Sequence, residues 1–266
     1  MSNQDSQNAR VIGVKVRDFI GSAVEKTFAA LLALLAWAVV LPAQAEQCAT
    51  LDNFSSSTPN SFPNGWKPRE DAGKNVYTVM QDGGQLFVRA RAAGAKSTGN
   101  GSEADRPVKW NIEEYPILRW KWRARVFPKG ADEQSGKDDS VLGVYIGFCP
   151  PADLALCERS AKGDRIAQAK LFLNKGVGSL KYIWSERLTK GLEFDKSRKA
   201  VKVLESGATA NRDQWVEERV DVASDYRKRF GADKPLSPVG LSILTDSDDT
   251  QSSAEGDYAD FRICRE

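Results

Sequence analysis

The chain has 266 residues, of which 41% are hydrophobic and 28% charged, a balance typical of a globular protein. Its 38 basic and 36 acidic residues give a net charge of +2, which provides no reason to expect a nucleic-acid partner. Histidine is absent, and this excludes a Ser-His-Asp triad, a Cys-His pair and a histidine zinc site.

The first 45 residues predict an export signal. A basic stretch, an apolar run at 28–41 and the small-residue cleavage site Ala43-Gln44-Ala45 follow one another in the order typical of secretory signal peptides. The apolar run is shorter than the roughly 20 residues that span a bilayer. We therefore predict a signal peptide at 1–45 and a periplasmic or secreted mature domain at 46–266, with no stable membrane span after cleavage. The alternative is a chain that stays anchored in the membrane by this segment.

Four cysteines remain in the mature chain, and an even number of cysteines in an exported protein indicates disulfides. Cys149 and Cys157 bracket a short loop, whereas Cys48 and Cys264 stand near the two ends of the mature chain, which lie close together in many domains. We predict the pairs Cys48–Cys264 and Cys149–Cys157. A zinc site is less favoured, because the chain has no C-x-x-C pair.

Short segments of alternating apolar and polar residues follow one another along the mature chain, a pattern typical of half-buried β-strands. In Ile117–Val126, Trp120 and Trp122 share an apolar face and four cations share the opposite face. The pattern predicts further strands at 86–91, 142–148, 167–173, 180–184, 201–203, 216–222, 241–245 and 261–263. One short helix is predicted at 224–230, with Ser224 as N-cap and Gly231 after its last turn.

Strands without intervening helices cannot form a parallel sheet with helical crossovers. The mature chain is therefore predicted to be all-β: a jelly-roll-like antiparallel β-sandwich with one short helix, preceded by the signal peptide. No second change of composition divides residues 46–266, so a single domain is expected.

Several motifs occur together in this sequence. They are Pro63-x-Gly65-Trp66, L-R-W-K-W at 118–122, D-D-S at 138–140, Y-x-W at 182–184, D-Y-R-K-R-F-G at 225–231 and T-D-S-D-D-T at 245–250. In combination they resemble a bacterial family of exported proteins described only as a domain of unknown function. The resemblance implies a β-sandwich similar to carbohydrate-binding modules, and it implies no activity and no catalytic residues.

The four cations of the Ile117–Val126 strand form the first candidate site. Since alternate residues of a strand point to one side, their side chains follow one face over about 20 Å. Such a row could bind the carboxylates or sulfates of a saccharide, or another anionic ligand of the cell envelope. The alternative is a sheet face on which each cation has a carboxylate partner on a neighbouring strand. The row consists of Arg119, Lys121, Arg123 and Arg125.

Two aromatic residues are candidates for stacking on sugar rings. Tyr145 lies between Gly143 and Gly147, and flanking glycines leave space for a ligand to approach the backbone. If its strand pairs with the strand of the cations, Tyr145 and the cationic row share one exposed face. Trp110, on a predicted loop, is the second candidate. Packing in the core is the alternative for both.

Acidic residues near the C-terminus form a candidate calcium site, because Ca²⁺ prefers oxygen ligands. Asp246, Asp248, Asp249 and Asp257 resemble part of an EF-hand loop, although Gln251 stands where that loop needs glycine. The alternative is a turn in which the carboxylates accept backbone N–H groups. No cofactor is expected apart from this candidate structural calcium.

These observations favour a non-catalytic binding protein of the cell envelope with a saccharide as its ligand. A periplasmic carbohydrate-active enzyme, either a lyase or a glycosidase working without histidine, is one alternative. A structural or protein-interaction module is the other. Two carboxylates facing each other beside an open groove would favour the enzyme.

Cleavage after Ala45 produces a mature chain that begins at Glu46, because small side chains occupy both cleavage-site positions. Intact-mass spectrometry of the exported protein should therefore show a chain that lacks residues 1–45. An exported protein that retains these residues would contradict the predicted cleavage and favour the membrane anchor.

Overall fold

The computed structural model describes residues 46–266 apart from 69–70, 95–102, 162–163, 173–177, 197–198, 208–210 and 232–234. The predicted signal peptide at 1–45 lies outside the described residues. Within the described part of the chain, every helix falls short of the length and apolar character that crossing a membrane requires.

The first sheet contains six strands. Its spatial order is β11 (Val216–Asp221), β6 (Ile117–Val126), β13 (Ser253–Cys264), β4 (Gln85–Ala93) and β3 (Tyr77–Asp82), and β1 (Cys48–Asp52) also pairs with β13. All of these pairs are antiparallel. The sheet thus brings together strands from both ends of the described part of the chain.

The second sheet contains seven strands. Their spatial order is β2 (Lys67–Pro68), β5 (Ala104–Pro107), β12 (Pro238–Leu244), β7 (Leu142–Phe148), β8 (Gly178–Ser185), β10 (Lys199–Ser206) and β9 (Glu193–Lys196). The pair β8–β10 is parallel and the others are antiparallel. β9 and β10 form an antiparallel pair at the edge of the sheet. β10 lies between β9 and β8 and runs in the same direction as β8. The predicted all-β sandwich is confirmed, with this one parallel pair.

Aromatic rings join the two sheets in the core. Trp120 and Trp122 of β6 are both fully buried, as the alternation of their strand predicts. The ring centroid of Trp122 lies 6.0 Å from that of Trp184 on β8, and the centroid of Trp120 lies 5.8 Å from that of Tyr182. Since β6 and β8 belong to different sheets, these contacts hold the two layers of the sandwich together.

Both predicted disulfides are confirmed. The Cα atoms of Cys48 and Cys264 are 4.0 Å apart, and those of Cys149 and Cys157 are 6.5 Å apart, within the range that a disulfide spans. Cys48 and Cys264 are also register partners in the β1–β13 pair. The first and last strands of the domain are therefore joined by both hydrogen bonds and a covalent bond.

The described residues contain three α-helices where the sequence predicts one. These are α1 (Leu154–Ala161), α2 (Arg165–Phe172) and α3 (Val222–Phe230). The strand predicted at 167–173 is wrong, because the buried residues Ala167 and Leu171 are four residues apart and so also fit one face of a helix. Leu173 lies outside the described residues.

The helix α3 begins two residues before the predicted start. Asp221, and not Ser224, is the N-cap, because its carboxylate accepts a hydrogen bond from the Ser224 N–H at 2.7 Å. Gly231 ends the helix in the left-handed conformation, as predicted, and its N–H donates to the Arg227 carbonyl.

Replacing Trp120 by alanine should lower the free energy of unfolding by roughly 3–5 kcal/mol, because a large buried ring is lost between the sheets. Chemical denaturation with both disulfides intact measures this loss. Lys121→Ala is the matched control: it lies one position along on the opposite face, where removal of its 3.7 Å ion pair should cost about 1 kcal/mol or less. Equal losses for the two variants would contradict the assigned faces of β6.

Candidate functional site

The cationic row on β6 is not a free binding surface. Arg119 pairs with Glu46 and Glu217, and Lys121 lies 3.7 Å from Asp260. The other two cations also have carboxylate partners: Arg123 pairs with Asp257 at 2.6 Å and Arg125 with Glu255 at 2.9 Å. The predicted anion-binding row is therefore wrong, since carboxylates of neighbouring strands and of the N-terminal segment already neutralise it.

Asp257 belongs to this ionic layer, and its predicted role as a calcium ligand is wrong. Its carboxylate is fully buried on β13 between Arg89, at 2.7 Å, and Arg123. The Arg123 guanidinium also lies over the ring of Trp215, with 4.5 Å between its carbon and the ring centroid. A buried carboxylate held by two guanidinium groups serves to join strands β4, β13 and β6.

Tyr145 is buried, with 3% of its surface exposed, and so cannot serve as an open stacking platform. It does point away from the aliphatic row of β7, as predicted, but lysine side chains from two other strands lie over its ring. The ammonium groups of Lys181 and Lys199 are each 5.2 Å from the ring centroid.

The predicted pairing of the Tyr145 strand with the cation strand is also wrong. β6 pairs with β11 and β13 in the first sheet, whereas β7 pairs with β12 and β8 in the second. The loop between β6 and β7 carries the chain from one sheet to the other. Tyr145 and the cationic row therefore lie in different sheets and share no face.

Trp110 is buried as well, and its predicted role as an exposed stacking residue is wrong. Its indole N–H donates a 2.6 Å hydrogen bond to the carbonyl of Tyr115, and its ring belongs to the main core. Trp110 thus anchors the loop that precedes β6.

Two of the predicted metal ligands do come together, with a third acid from a different loop. One carboxylate oxygen from each of Asp139, Asp246 and Asp248 lies within 4.8 Å of the others, so these residues could hold a metal ion. Burial, and then a hydrogen bond to Asp248, raises the pKa of Asp246 to about 9. Asp249 is instead hydrogen-bonded to Asp138, which raises the pKa of Asp249 to about 6.

The same loop also fits the simpler interpretation. Asp139 accepts the backbone N–H of Thr250 at 2.8 Å, that of Asp249 at 3.2 Å and the Thr250 hydroxyl at 2.6 Å. This carboxylate therefore fixes the conformation of the acidic loop with or without a cation.

A groove between α3 and the edge of the second sheet is the candidate ligand site. It has a volume of about 270 Å³. Its apolar floor comes from β8 and β10, and its charged rim comes from β9, β10 and α3. The floor consists of Leu180 and Ala200, and the rim and side wall of Tyr182, Glu193, Asp195, Lys202, Asp225, Lys228 and Arg229. Phe194 and Val201 also border the groove, but their side chains pack with Ile183 and Val203 on the other face of the sheet.

Asp225 organises the inner end of the groove. Its carboxylate accepts a 3.0 Å hydrogen bond from the Tyr182 hydroxyl and bonds of 2.9 and 3.1 Å from the Lys202 ammonium. Burial, with the Asp225 charge as a second cause, raises the pKa of Tyr182 well above its usual range, so the phenol stays protonated and donates. These three residues hold each other in fixed positions.

The outer rim of the groove carries further ion pairs. Lys228 binds Glu193 at 2.6 Å, and Arg229 binds Asp195 at 2.5 Å. With Lys202 and Asp225, the rim therefore has three cations and three carboxylates. Hydrogen-bond donors and acceptors alternate around a charge-balanced opening.

The candidate sites predicted from the sequence do not include this groove. A signal was present, because two of its wall segments, D-Y-R-K-R-F-G and Y-x-W, belong to the motifs that carry the family resemblance. These two segments form a groove only together with Lys202 and Glu193, and the sequence around those two residues shows no distinctive pattern.

Two buried glutamates lie outside the groove, one in each sheet. Glu218 on β11 and Glu205 on β10 are each 8% exposed. Glu218 accepts a 3.0 Å hydrogen bond from the Trp122 indole N–H, and Glu205 binds Lys190 at 2.5 Å. Burial, followed by the negative charge of Glu205, raises the pKa of Glu218 to about 7.

Fold and groove together define a disulfide-bonded β-sandwich with a charge-balanced groove at one edge. Residues 64–262 match the family described as "Protein of unknown function (DUF3047)", and the chain belongs to that family. The resemblance predicted from the motifs is thereby confirmed. No curated protein matches the chain.

Two solved structures share some backbone similarity with the chain. One is a non-crystalline-cellulose-specific carbohydrate-binding module, CBM28, with 10% identity and a TM-score of 0.33, covering 77% of this chain and 92% of the module. The other is the xyloglucanase domain of NopAA, a type three effector from Sinorhizobium fredii, with 8% identity and a TM-score of 0.36, covering 83% of this chain and 99% of that domain. At these values neither likeness identifies a ligand, and the fold is assigned from the strand pairing above.

Stability should fall as the pH rises from about 4.5 to about 7, because the folded state holds the Glu218 proton more tightly than the unfolded chain does. Over this window the contribution of Glu218 falls by an amount on the order of 3 kcal/mol, at 1.36 kcal/mol for each pH unit. Glu218→Gln should remove it and be the more stable form at pH 8. Urea unfolding at several pH values measures the difference, and Glu217→Gln, on the exposed face of β11, is the control. Parallel pH profiles for wild type and Glu218→Gln would contradict this assignment.

Proposed function

We propose that this protein binds saccharides in the groove between α3 and the edge of the second sheet. The observation that carries the proposal is the rim itself, in which three cations and three carboxylates alternate above an apolar floor. A sugar presents hydroxyl groups that both donate and accept, and it also presents C–H faces that pack on apolar surface. The groove offers a partner for each of these features.

The balance of charge on the rim favours a neutral saccharide over an anionic one. Each rim cation already has a carboxylate partner within 3 Å, so an added carboxylate or sulfate would compete with the partner that is present. A hydroxyl group can instead bind between the members of an ion pair, donating to the carboxylate and accepting from the cation. Asp225 and Lys202 are positioned for such a contact before any ligand arrives.

We infer that the protein works in the periplasm or outside the cell. The two disulfides support this location, because such bonds persist in oxidising compartments. The predicted signal peptide supports it independently. A saccharide-binding protein of the cell envelope is the function that these observations favour together.

Lys202→Ala should weaken saccharide binding roughly tenfold or more, because a hydrogen bond to a charged group contributes about 1.5–3 kcal/mol. Titration calorimetry with neutral hexasaccharides such as cellohexaose, xylohexaose and maltohexaose measures the change. Lys121→Ala is the matched control, since it removes a lysine from the outer face of the first sheet. Equal affinities for the wild type and Lys202→Ala, or the same loss in both variants, would contradict the groove as the binding site.

We also propose that the acidic cluster holds a structural calcium ion. Carboxylates from Asp139, Asp246 and Asp248 supply the hard oxygen ligands that Ca²⁺ prefers, and a cation would replace the proton that Asp246 and Asp248 otherwise share. Such an ion would join the loop before β7 to the loop after β12.

Calcium at about 100 times its dissociation constant should stabilise the domain by about 2.7 kcal/mol. For a domain of this size the melting temperature should then rise by roughly 5–10 °C relative to chelator-treated protein. Asp246→Asn should abolish the rise, whereas Asp213→Asn, at an exposed position, should keep it. If the wild-type protein has the same melting temperature in calcium and in chelator, the calcium proposal is contradicted, and the loop is fixed by its own hydrogen bonds alone.

A further inference from the structure

A small cavity lies on the outer face of the second sheet, on the other side of that sheet from the saccharide groove. Its volume is about 30 Å³, which gives room for roughly two water molecules or one small ion. Lys181 lines this cavity, whereas its neighbours Leu180 and Tyr182 on β8 line the groove, because successive residues of a strand point to opposite faces. The charged residues of the cavity are Glu133, Asp138, Lys181, Lys196 and Lys199.

Two of the three lysines in this lining lack a carboxylate partner. Lys196 pairs with Asp138 at 2.9 Å. Lys181 and Lys199, by contrast, form no ion pair with any acid in the part of the chain that the structure describes. Their ammonium groups lie over the Tyr145 ring, and that of Lys181 also lies 3.5 Å from the Ser140 hydroxyl. An aromatic face attracts a cation but has no net charge with which to neutralise it.

The two ammonium groups are buried neighbours. Lys181 has 5% of its surface exposed, and it pairs in register with Val201, two residues along β10 from Lys199. An ammonium group is costly to bury unless an opposite charge accompanies it. Burial, and then the charge of Lys199, lower the pKa of Lys181 to about 8, so this lysine still holds its proton at neutral pH.

The charges of the lining indicate which ligand would fit. Three lysines and two acids leave a formal excess of one positive charge, so the missing partner should carry a single negative charge. Two ammonium groups from different strands match an anion that has two separate acceptor atoms. A carboxylate group meets both conditions, and its hydrogen bonds with ammonium groups are strong. Chloride offers one acceptor atom, and sulfate brings a second charge.

The cavity also has a side from which a small anion can enter. The side chains of Asp138 and Lys196 are 38% and 26% exposed, so solvent reaches the cavity past this ion pair. Lys181 forms the inner end. A ligand that enters from solvent therefore meets Lys181 at the bottom of the cavity.

We propose that this cavity binds a small monocarboxylate between the ammonium groups of Lys181 and Lys199. The bound carboxylate gives these two lysines the kind of partner that every cation of β6 already has. The site lies on the opposite face of the second sheet from the groove, so this inference goes beyond saccharide binding and does not depend on it.

Thermal unfolding of the exported protein in sodium acetate tests the proposal, with the ionic strength held constant by the sodium salt of a bulky sulfonate. Acetate at about 100 times its dissociation constant should raise the melting temperature by roughly 5–10 °C. The dissociation constant should be about tenfold higher at pH 9 than at pH 7, because Lys181 loses its proton over this range. The other charged groups that act on this titration are Lys199, Asp138, Glu133 and Asp246.

Lys181→Met and Lys199→Met should each raise the dissociation constant for acetate about tenfold or more, because each removes a charged hydrogen-bond donor. Without acetate, Lys181→Met should melt no lower than the wild type, since it removes a buried ammonium group that has no carboxylate partner. This second measurement separates a lost binding site from a damaged fold. Lys121→Met is the matched control, because its ammonium group pairs with Asp260 on the outer face of the first sheet, and it should respond to acetate as the wild type does.

Benzoate carries the same carboxylate on a ring that is larger than the cavity. Stabilisation by both anions supports a ligand that inserts only its carboxylate, and stabilisation by acetate alone supports a free small anion. The inference is overturned if acetate leaves the wild-type melting temperature unchanged, if chloride raises it equally, or if Lys181→Met and Lys199→Met respond to acetate as the wild type does.

Discussion

The strand β6 separates an aromatic core from a layer of ion pairs, and the rest of the molecule is arranged around that separation. Its even-numbered residues place Trp120 and Trp122 between the sheets, and its odd-numbered residues place four cations on the outer face. A shift of one residue in register would exchange the two faces and bury four charges. On the inner face, side chains of the neighbouring strands β11 and β13 pack against the indole rings. On the outer face, carboxylates of the same strands pair with the cations. Each of these two sets of contacts independently fixes the register of β6.

Two of the buried carboxyl groups lie on strands near the edges of the sheets. The centre of the core is filled by indole and aliphatic groups, whereas the strands β10 and β11 stand near the edges of their sheets. Glu205 and Glu218 are buried there, and Glu205 forms an ion pair with the exposed Lys190. The helix α3 covers the next part of this edge, with Tyr226 packed on Phe148 at 4.6 Å between ring centroids.

The sequence predicts most of the strands because alternation is a local property. Ile117–Val126 and Leu142–Phe148 show it without interruption, and both are strands. Residues 167–173 were ambiguous because Ala167 and Leu171 fit either period, and the helix prevailed. The candidate sites depend on contacts between distant residues. Tyr145 is covered by Lys181 and Lys199, and local sequence does not reveal a neighbour 36 or more positions away. The groove cannot be read from the sequence for the same reason, since it joins strands and a helix that only the whole fold brings together.

The disulfide between Cys48 and Cys264 turns the domain into a closed loop of covalent bonds. A pulling force applied to the chain outside these two cysteines would pass directly through the sulfur–sulfur bond, and the hydrogen bonds of both sheets would carry none of it. A single cut by a protease in an exposed loop would likewise leave one covalent molecule and release no fragment. This linkage therefore protects the sandwich against both tension and single cleavages, whatever its groove holds.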